Sequence, residues 1–373
     1  MSAESALSRE EEFFLRSGTS STKRKKKSRS GGFASLAPLT PTPVYDTFWR
    51  FAYERQQVFL RRMRNEPPPW TEDQVLIRYK FTNAYRASDR VSQYLIRDVI
   101  YDQNRSIADT FFRIILFKLF NKIETWQLLE QEFGPLTTAN FSIRRFDKVL
   151  AHAKQNAAIY SAAYIMPSGG SAFHTSRKHL AHLRLIERML DDRLAESIAK
   201  SRSLKEVFVL LRSYPTIGDF LAFQYAIDIN YSTLIDFSEM EFVMPGPGAR
   251  DGIRKCFSNF GGLREAEIIR LVTERQEVEF SRLGLEFPWL GSRRLQLIDV
   301  QNLFCEVDKY ARVVHPEIAG VSGRTRIKQK FHPRDAPICY FFPPKWKIDN
   351  GAFRTHPHDK QKVRRRVFPL FDK

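Results

Sequence analysis

From Asp46 onward the chain repeats apolar positions at three- and four-residue intervals, the period of helices with one buried face. Phe48, Phe51, Ala52, Phe59 and Met63 mark the first such face. Asp46 is placed to cap its start, and Pro67-Pro68-Pro69 ends it. The same reading predicts helices over 73–102, 106–121, 142–160, 178–200, 203–214, 219–230, 248–258, 262–280 and 293–313. Ser203 and Glu206 stand at capping-box spacing. Gly134-Pro135, Ser168-Gly169-Gly170 and Phe287-Pro288 mark loops, and Ile338–Phe342 carries the best strand signal. No repeat of solenoid period is present. The pattern predicts an all-α fold.

Composition adds a bulky core and an uneven charge. Of 373 residues, 43% are hydrophobic and 31 are Phe, which suits helices packed on several sides. The formal net charge of +18 favours a polyanionic partner. The first 40 residues hold 8 Lys/Arg against 4 Glu, and the stretch from Arg324 holds 14 Lys/Arg against 4 Asp, so the two ends carry most of the excess. This divides the chain into a disordered basic N-terminal tail (1–40), a helical domain (41–324) and a basic, largely extended C-terminal tail (325–373). Lys23-Arg24-Lys25-Lys26-Lys27-Ser28-Arg29 reads as a nuclear-import signal or a DNA-grasping arm, giving a nuclear protein. Cys256, Cys305 and Cys339 stand too far apart for a zinc knuckle and fit a reducing compartment. The most apolar run, Phe111–Phe120, is interrupted by Arg113 and Lys118 and is too short for a bilayer. No apolar leader opens the chain, so no membrane is expected. His179 and His182 stand three apart but lack an evident third ligand, so no metal is expected; nor is a cofactor.

Four segments carry candidate chemistry. Leu210–Ala222 is an apolar helix, a tight Pro215-Thr216-Ile217-Gly218 turn and a second apolar helix, similar to the helix-hairpin-helix of DNA glycosylases. In that motif the turn and the next helix N-terminus offer N–H groups to a DNA phosphate; an ordinary connection is the other reading. Thr216 replaces the first glycine of the usual P-G-x-G turn. Asp228 follows at the far end of the second helix, as a catalytic carboxylate or a helix-end group. Gly246-Pro247-Gly248 leads into a helix start carrying Arg250, a second candidate anion site. On an ideal helix, Tyr79, Asn83, Arg86 and Arg90 fall within about 60° and suit phosphate and base contacts, or a structural ion-pair network. Asp299, Asn302, Glu306 and Lys309 fall within about 80° on another helix; they suit proton transfer and charge stabilisation, or mere solvation. If both stripes belong to one site, they should meet across a cleft with the Pro215–Gly218 turn at its rim.

These segments together carry a family resemblance. Phe51-Ala52-Tyr53-Glu54-Arg55, Pro69-Trp70-Thr71-Glu72-Asp73, Lys80–Arg86 and Asp89-Arg90-Val91-Ser92 come first. Glu124-Thr125-Trp126, the hairpin to Asp228, the Gly246–Gly248 turn and Cys305-Glu306-Val307-Asp308-Lys309-Tyr310 follow in order. The stretch from Tyr45 to Gly323 resembles the alpha-glutamyl/putrescinyl-thymine pyrophosphorylase group, also named the 5-hydroxymethyldeoxyuridine DNA kinase helical domain. The resemblance implies a glycosylase-like helical fold and action on hypermodified thymine, in which an amine or amino acid displaces an activated group from a flipped base. It implies DNA as partner, with a base hydroxylase and a kinase acting upstream. A Walker A sequence is absent from the chain, so the kinase chemistry is not expected in it. On this reading Asn83, Arg86, Arg90, Gly218, Gly246, Gly248 and Arg250 contact DNA or phosphate, and Asp228, Glu306, Asp308 and Lys309 are the catalytic candidates. A base-excision glycosylase using Asp228 and a non-catalytic DNA-binding or chromatin module are the alternatives.

Overall fold

Strand β1 (Thr40–Pro41) is the first described element and is followed at once by helix α1 (Pro43–Met63). The N-cap of α1 is Thr42, whose hydroxyl accepts from Val44 N at 3.2 Å; Asp46 lies in the first turn and pairs with Arg282 instead. The computed structural model describes residues 36, 38–333 and 339–353, so the basic cluster at 23–29 lies outside the described residues. The next elements are α2 (Gln74–Arg78), α3 (Arg90–Tyr94), which runs into a π-helical turn at Leu95–Ile100, α4 (Ile107–Phe120) and α5 (Ile123–Phe133). Then come α6 (Ile143–Asn156), α7 (Lys178–Asp191), α8 (Leu194–Ala199), α9 (Leu204–Arg212) and α10 (Asp219–Asn230). α11 (Pro247–Cys256), β2 (Phe257–Asn259), α12 (Glu265–Glu274), α13 (Gln276–Arg282) and α14 (Leu297–Val314) complete the order. β1 and β2 pair antiparallel, with Thr40 opposite Asn259. Among the described residues the fold is all-helical apart from this two-stranded ribbon, and no described helix is long and apolar enough to cross a membrane.

α4 and α10 form the centre. Every residue from Thr110 to Phe120, and from Leu221 to Asn230, is buried; a helix apolar all round must be covered on all sides. Ser106 caps α4 by accepting from Asp109 N at 3.0 Å, and Asn121 ends it with φ 48°. α4 packs against α7, α8 and α10. On the other side α11 lies directly on α14. A Cβ on Gly248 would stand 2.4 Å from Cys305 Sγ, and one on Gly252 would stand 2.0 Å from Phe304 O. The glycines therefore set how closely the two helices approach. Rings knit α1 to α14, with Phe48 and Phe304 centroids 4.6 Å apart, and to α13, with Trp49 and Phe280 4.9 Å apart.

Several expected elements differ. The helix expected over 73–102 is broken across residues 79–89, because its amides find partners other than their own carbonyls. Lys80 N donates to Gln329 O at 3.0 Å, Thr82 N to Glu306 Oε2 at 3.0 Å, Asn83 N to Asp89 Oδ1 at 2.8 Å and Arg86 N to Asp299 Oδ1 at 2.8 Å. Expected helix 178–200 divides at Arg193, where φ is 51°, and 262–280 starts at Glu265 and divides near Arg275. α5 was not expected, although Ile123, Trp126, Leu129 and Phe133 have helical spacing. Residues 339–342 form no strand: Phe341 N donates to Gln93 Oε1 and Phe342 N to Asn350 Oδ1, so side chains occupy the amides a ladder would use. Two parts of the stretch read as a C-terminal tail are built into the fold. Phe331 N donates to Arg78 O, and Tyr340 and Phe342 are buried.

Candidate functional site

A polar cluster lies between the two central helices. Asp228, in the last turn of α10, is 0% exposed, and its oxygens face Arg86 Nη1 at 2.7 Å and Lys118 Nζ at 3.2 Å. α10 presents Gln224, Asp228 and, just beyond its end, Tyr231 along one line. Arg86 Nε donates to Gln224 Oε1 and Nη1 to the Tyr231 hydroxyl, each at 3.0 Å. Arg86 Nη2 has no hydrogen-bond partner. Buried cations need this pairing, because desolvation of each charge costs on the order of several kcal/mol.

The two basic residues that interrupt the apolar run of α4 have different roles. Arg113 donates to Val99 O at 2.9 Å, Leu136 O at 3.1 Å and Asp98 O at 3.2 Å, tying down the end of the π-helical turn. Lys118 instead reaches the Asp228 carboxylate and Asn121 Oδ1, at 2.9 Å. Burial pulls its pKa down to about 8, opposed by Asp228 and reinforced by Arg86. Near neutral pH this amine therefore loses its proton far more readily than a surface lysine.

Tyr164 covers the cluster. Its ring lies 4.6 Å from Lys118 Nζ and 5.8 Å from the Arg86 guanidinium carbon, and it stacks on Phe220 of α10 at 5.9 Å and 6°. Tyr164 has φ 54°, and its neighbour Ile165 is 69% exposed. The same loop meets the α9–α10 turn, where a Cβ on Gly169 would stand 3.0 Å from Thr216 Cγ2. Thr216 itself has φ 71°, the left-handed conformation in which a glycine carries no Cβ penalty. Gly218, the N-cap of α10, is exposed with open space around its Cα.

The segment of the first stripe packs on the second helix, but through backbone amides and not through the side chains expected to face one another across a cleft. Besides the Arg86 N–Asp299 and Thr82 N–Glu306 bonds, Lys309 Nζ lies 2.6 Å from Glu306 Oε2. Asn83 Oδ1 accepts from Arg55 Nη2 at 2.9 Å, and Arg90 is half-buried. Burial, with Glu306 nearby, raises the pKa of Asp89 to about 7, against its bond from Asn83 N and the charge of Arg55. Asp299 rises to about 6, mainly by burial. Asp308 faces away from Glu306, toward α11: Lys255 Nζ lies 3.0 Å from its Oδ1, and Arg312 also pairs with it. Gly246 is buried against Phe220 and Gln301, Gly248 is half-buried against α14, and Arg250 is exposed.

His182 and His179 are buried and separately engaged. His182 Nδ1 lies 2.8 Å from the Tyr160 hydroxyl and Nε2 2.8 Å from Pro167 O, and His179 Nε2 lies 3.1 Å from Asp147. Among the described residues no group of three potential ligands could hold a metal. Lys118, Tyr164, Gln224 and Tyr231 escaped the sequence reading. A lysine inside an otherwise unbroken apolar run, and Gln224, Asp228 and Tyr231 at four- and three-residue spacing, were the available signals.

An all-helical protein with buried acid–base and guanidinium groups beside a helix–turn–helix connection is the class so defined. The model of the family described as "5-hmdU DNA kinase, helical domain" matches residues 42–320, and the chain belongs to this family. It is similar to a 5-hmdU DNA kinase of Bacillus phage SP10, at 28% identity over 326 residues, which cover 82% of this chain and 51% of the relative. The chain thus spans about half the length of that relative. No solved structure matches it.

Proposed function

We propose that the protein modifies 5-hydroxymethyluracil in DNA, transferring an amine or amino acid onto the activated hydroxymethyl carbon of a flipped base. The observation that carries this reading is the Lys118–Asp228–Arg86 cluster under Tyr164, beside the α9–α10 turn, whose Gly218 is exposed. The family and the relative's name supply the base and the DNA. A base leaving the stack displaces Tyr164 and packs on Phe220, while the turn and Gly218 hold a backbone phosphate through helix N-terminal amides. Arg86 and Lys118 bind the phosphate or pyrophosphate already attached to the hydroxymethyl oxygen. The donor nitrogen forms a bond to the methylene carbon, the carbon–oxygen bond breaks, and the phosphate leaves with its electron pair. Asp228 takes the proton from the new ammonium. Among the carboxylates expected to be catalytic, this reading favours Asp228, since Glu306 and Asp308 are held by cations elsewhere. Hydroxylation and phosphorylation are steps for partner activities, and the cluster at 23–29 directs the chain to the nucleus.

Mass spectrometry of nucleosides from phosphomethyluracil DNA incubated with protein and a panel of amines tests the reading. A heavier thymine derivative that disappears with Lys118→Met and Asp228→Asn is the expected result; an unchanged nucleoside profile refutes it. The Lys118–Asp228 contact also favours a second reading, base excision, in which the neutral amine attacks the sugar. Release of free base would select that reading.

A further inference from the structure

A second site opens on the far side of Tyr231. A cleft of about 450 Å³ lies between the end of α10, the loop that follows it and residues 345–346. Glu239, Arg293, Lys345, Trp346, Asp236 and Ser292 line it. The Glu239 side chain is 3% exposed and pairs with Arg293 Nη2 at 2.9 Å through Oε2, leaving Oε1 with no hydrogen-bond partner. Arg293 Nε likewise has no hydrogen-bond partner. Orphaned buried groups of this kind are rare and mark a position a ligand or water fills. Lys345 is held at the wall by the carbonyls of Ser232 and Ile235, at 2.9 and 2.7 Å, and faces Asp236 at 3.5 Å.

We infer that this cleft binds a small zwitterion, with an ammonium on Glu239 and a carboxylate on Arg293 and Lys345. The arrangement disfavours the other obvious occupants. An isolated phosphate leaves the Glu239 oxygen unsatisfied and adds repulsion. A polyamine meets two cations. A nucleobase needs a free ring to stack on, but Trp346 has the Arg293 guanidinium 3.6 Å from its centroid and Phe342 stacked against it at 6.2 Å. A compact molecule with both charges satisfies both orphaned groups and needs no ring. Arg294, at the rim, is engaged by Glu277 at 3.1 Å and is left out of the assignment. Binding stands on the cleft's own groups; only the use of such a molecule as the amine donor rests on the function proposed above.

Isothermal titration of the full chain with glycine and L-glutamate, alongside acetate and ethylamine, tests the site. The expected result is saturable binding of at least one amino acid, with acetate and ethylamine each at least tenfold weaker. Glu239→Gln should weaken amino-acid binding tenfold or more. Ser292→Trp, on the exposed rim, should block the cleft without touching the buried pair and guards against a folding artefact in the first variant. Equal heats for wild type and both variants, or no saturable binding by either amino acid, overturns the proposal. Uridine or phosphate binding more tightly than the amino acids also overturns it. None of these outcomes depends on DNA, so a failure of the base-transfer assay leaves this result standing, and the reverse holds.

Discussion

Asp228→Asn should cost much of the protein's stability, while Lys118→Met should cost little. The carboxylate neutralises two buried cations, Arg86 at 2.7 Å and Lys118 at 3.2 Å, and none of the three side chains is more than 4% exposed. Removing one partner of such a pair costs about 3–5 kcal/mol, because the remaining charge stays buried. Lys118 can escape this penalty by losing its proton, since burial already brings its pKa to about 8; Arg86 cannot. Arg86 keeps Gln224 and Tyr231 as acceptors, which holds the loss toward the lower bound. For a helical unit of this size that corresponds to a fall in Tm of roughly 4–7 °C. Methionine in place of Lys118 leaves the Arg86–Asp228 pair whole and removes a desolvated amine, at the cost of about 1 kcal/mol for the abandoned Asn121 oxygen. Calorimetric melts of both variants at pH 7 make the comparison, with base transfer to DNA measured in parallel and expected to vanish in both. If Asp228→Asn melts within about a degree of the wild type, or Lys118→Met loses more stability than Asp228→Asn, the charge assignment within the cluster is wrong.

Gly252→Ala places a Cβ 2.0 Å from a backbone carbonyl of α14 and should destabilise by about 1–3 kcal/mol, read as a lower urea midpoint at unchanged slope. Asp89 has a folded pKa raised to about 7, so its protonation stabilises the fold fully below its ordinary value near 3.8, and this contribution is lost as pH rises through about 7. Asp89→Asn, which retains an acceptor for Asn83 N, should therefore flatten the decline in stability between pH 4 and 7 by up to about 1.4 kcal/mol per pH unit; an unaltered pH profile would falsify the protonation argument. Gly218→Asp should leave the melting temperature equal or slightly higher, since an acid suits a helix N-cap. The same change should weaken duplex binding measured by fluorescence anisotropy, and unchanged affinity would remove the turn from the DNA contact.

What the sequence discloses about the fold is what local pattern controls. α4, α9 and α10 appear near their expected limits because their apolar spacing, the Ser106 and Ser203 caps and the Pro215–Gly218 turn all agree. The pattern predicts helix over the segment 79–89 because nothing local forbids one there. Its amides are taken by Glu306 and Asp299, over two hundred residues away, and by residue 329. Such partners exist only once the chain has closed, so periodicity alone cannot register them. The first capping group of α1 was displaced by four residues for a smaller reason: Asp46 and Thr42 are both acceptable caps, and the pairing of β1 with β2 decides between them by fixing where the helix begins.

The candidate site shows the same division more sharply. Asp228 is visible from its place beyond the turn, yet its two cations come from the irregular segment 79–89 and from the last turn of the most apolar helix. A lysine on a surface helix is uninformative, because solvent satisfies it. A lysine flanked by Phe117, Leu119 and Phe120 has no such recourse, and its burial implies an acid facing it from another element. Arg113 spends its guanidinium on the carbonyls of Asp98, Val99 and Leu136 and on the Asp102 carboxylate at 3.0 Å, all from neighbouring stretches of chain, whereas Lys118 faces the carboxylate of Asp228 on a distant helix. The interruptions in the Phe111–Phe120 run therefore held the information that the more regular polar stripes did not. Glu306 pairs with Lys309 and accepts from Thr82 N, while Asn83 bonds Arg55 and Ser88 O, so their chemistry is largely spent on keeping 79–89 out of a continuous helix. That stretch delivers Arg86 to Asp228, and in this way the two stripes serve the site by shaping the segment that carries its guanidinium.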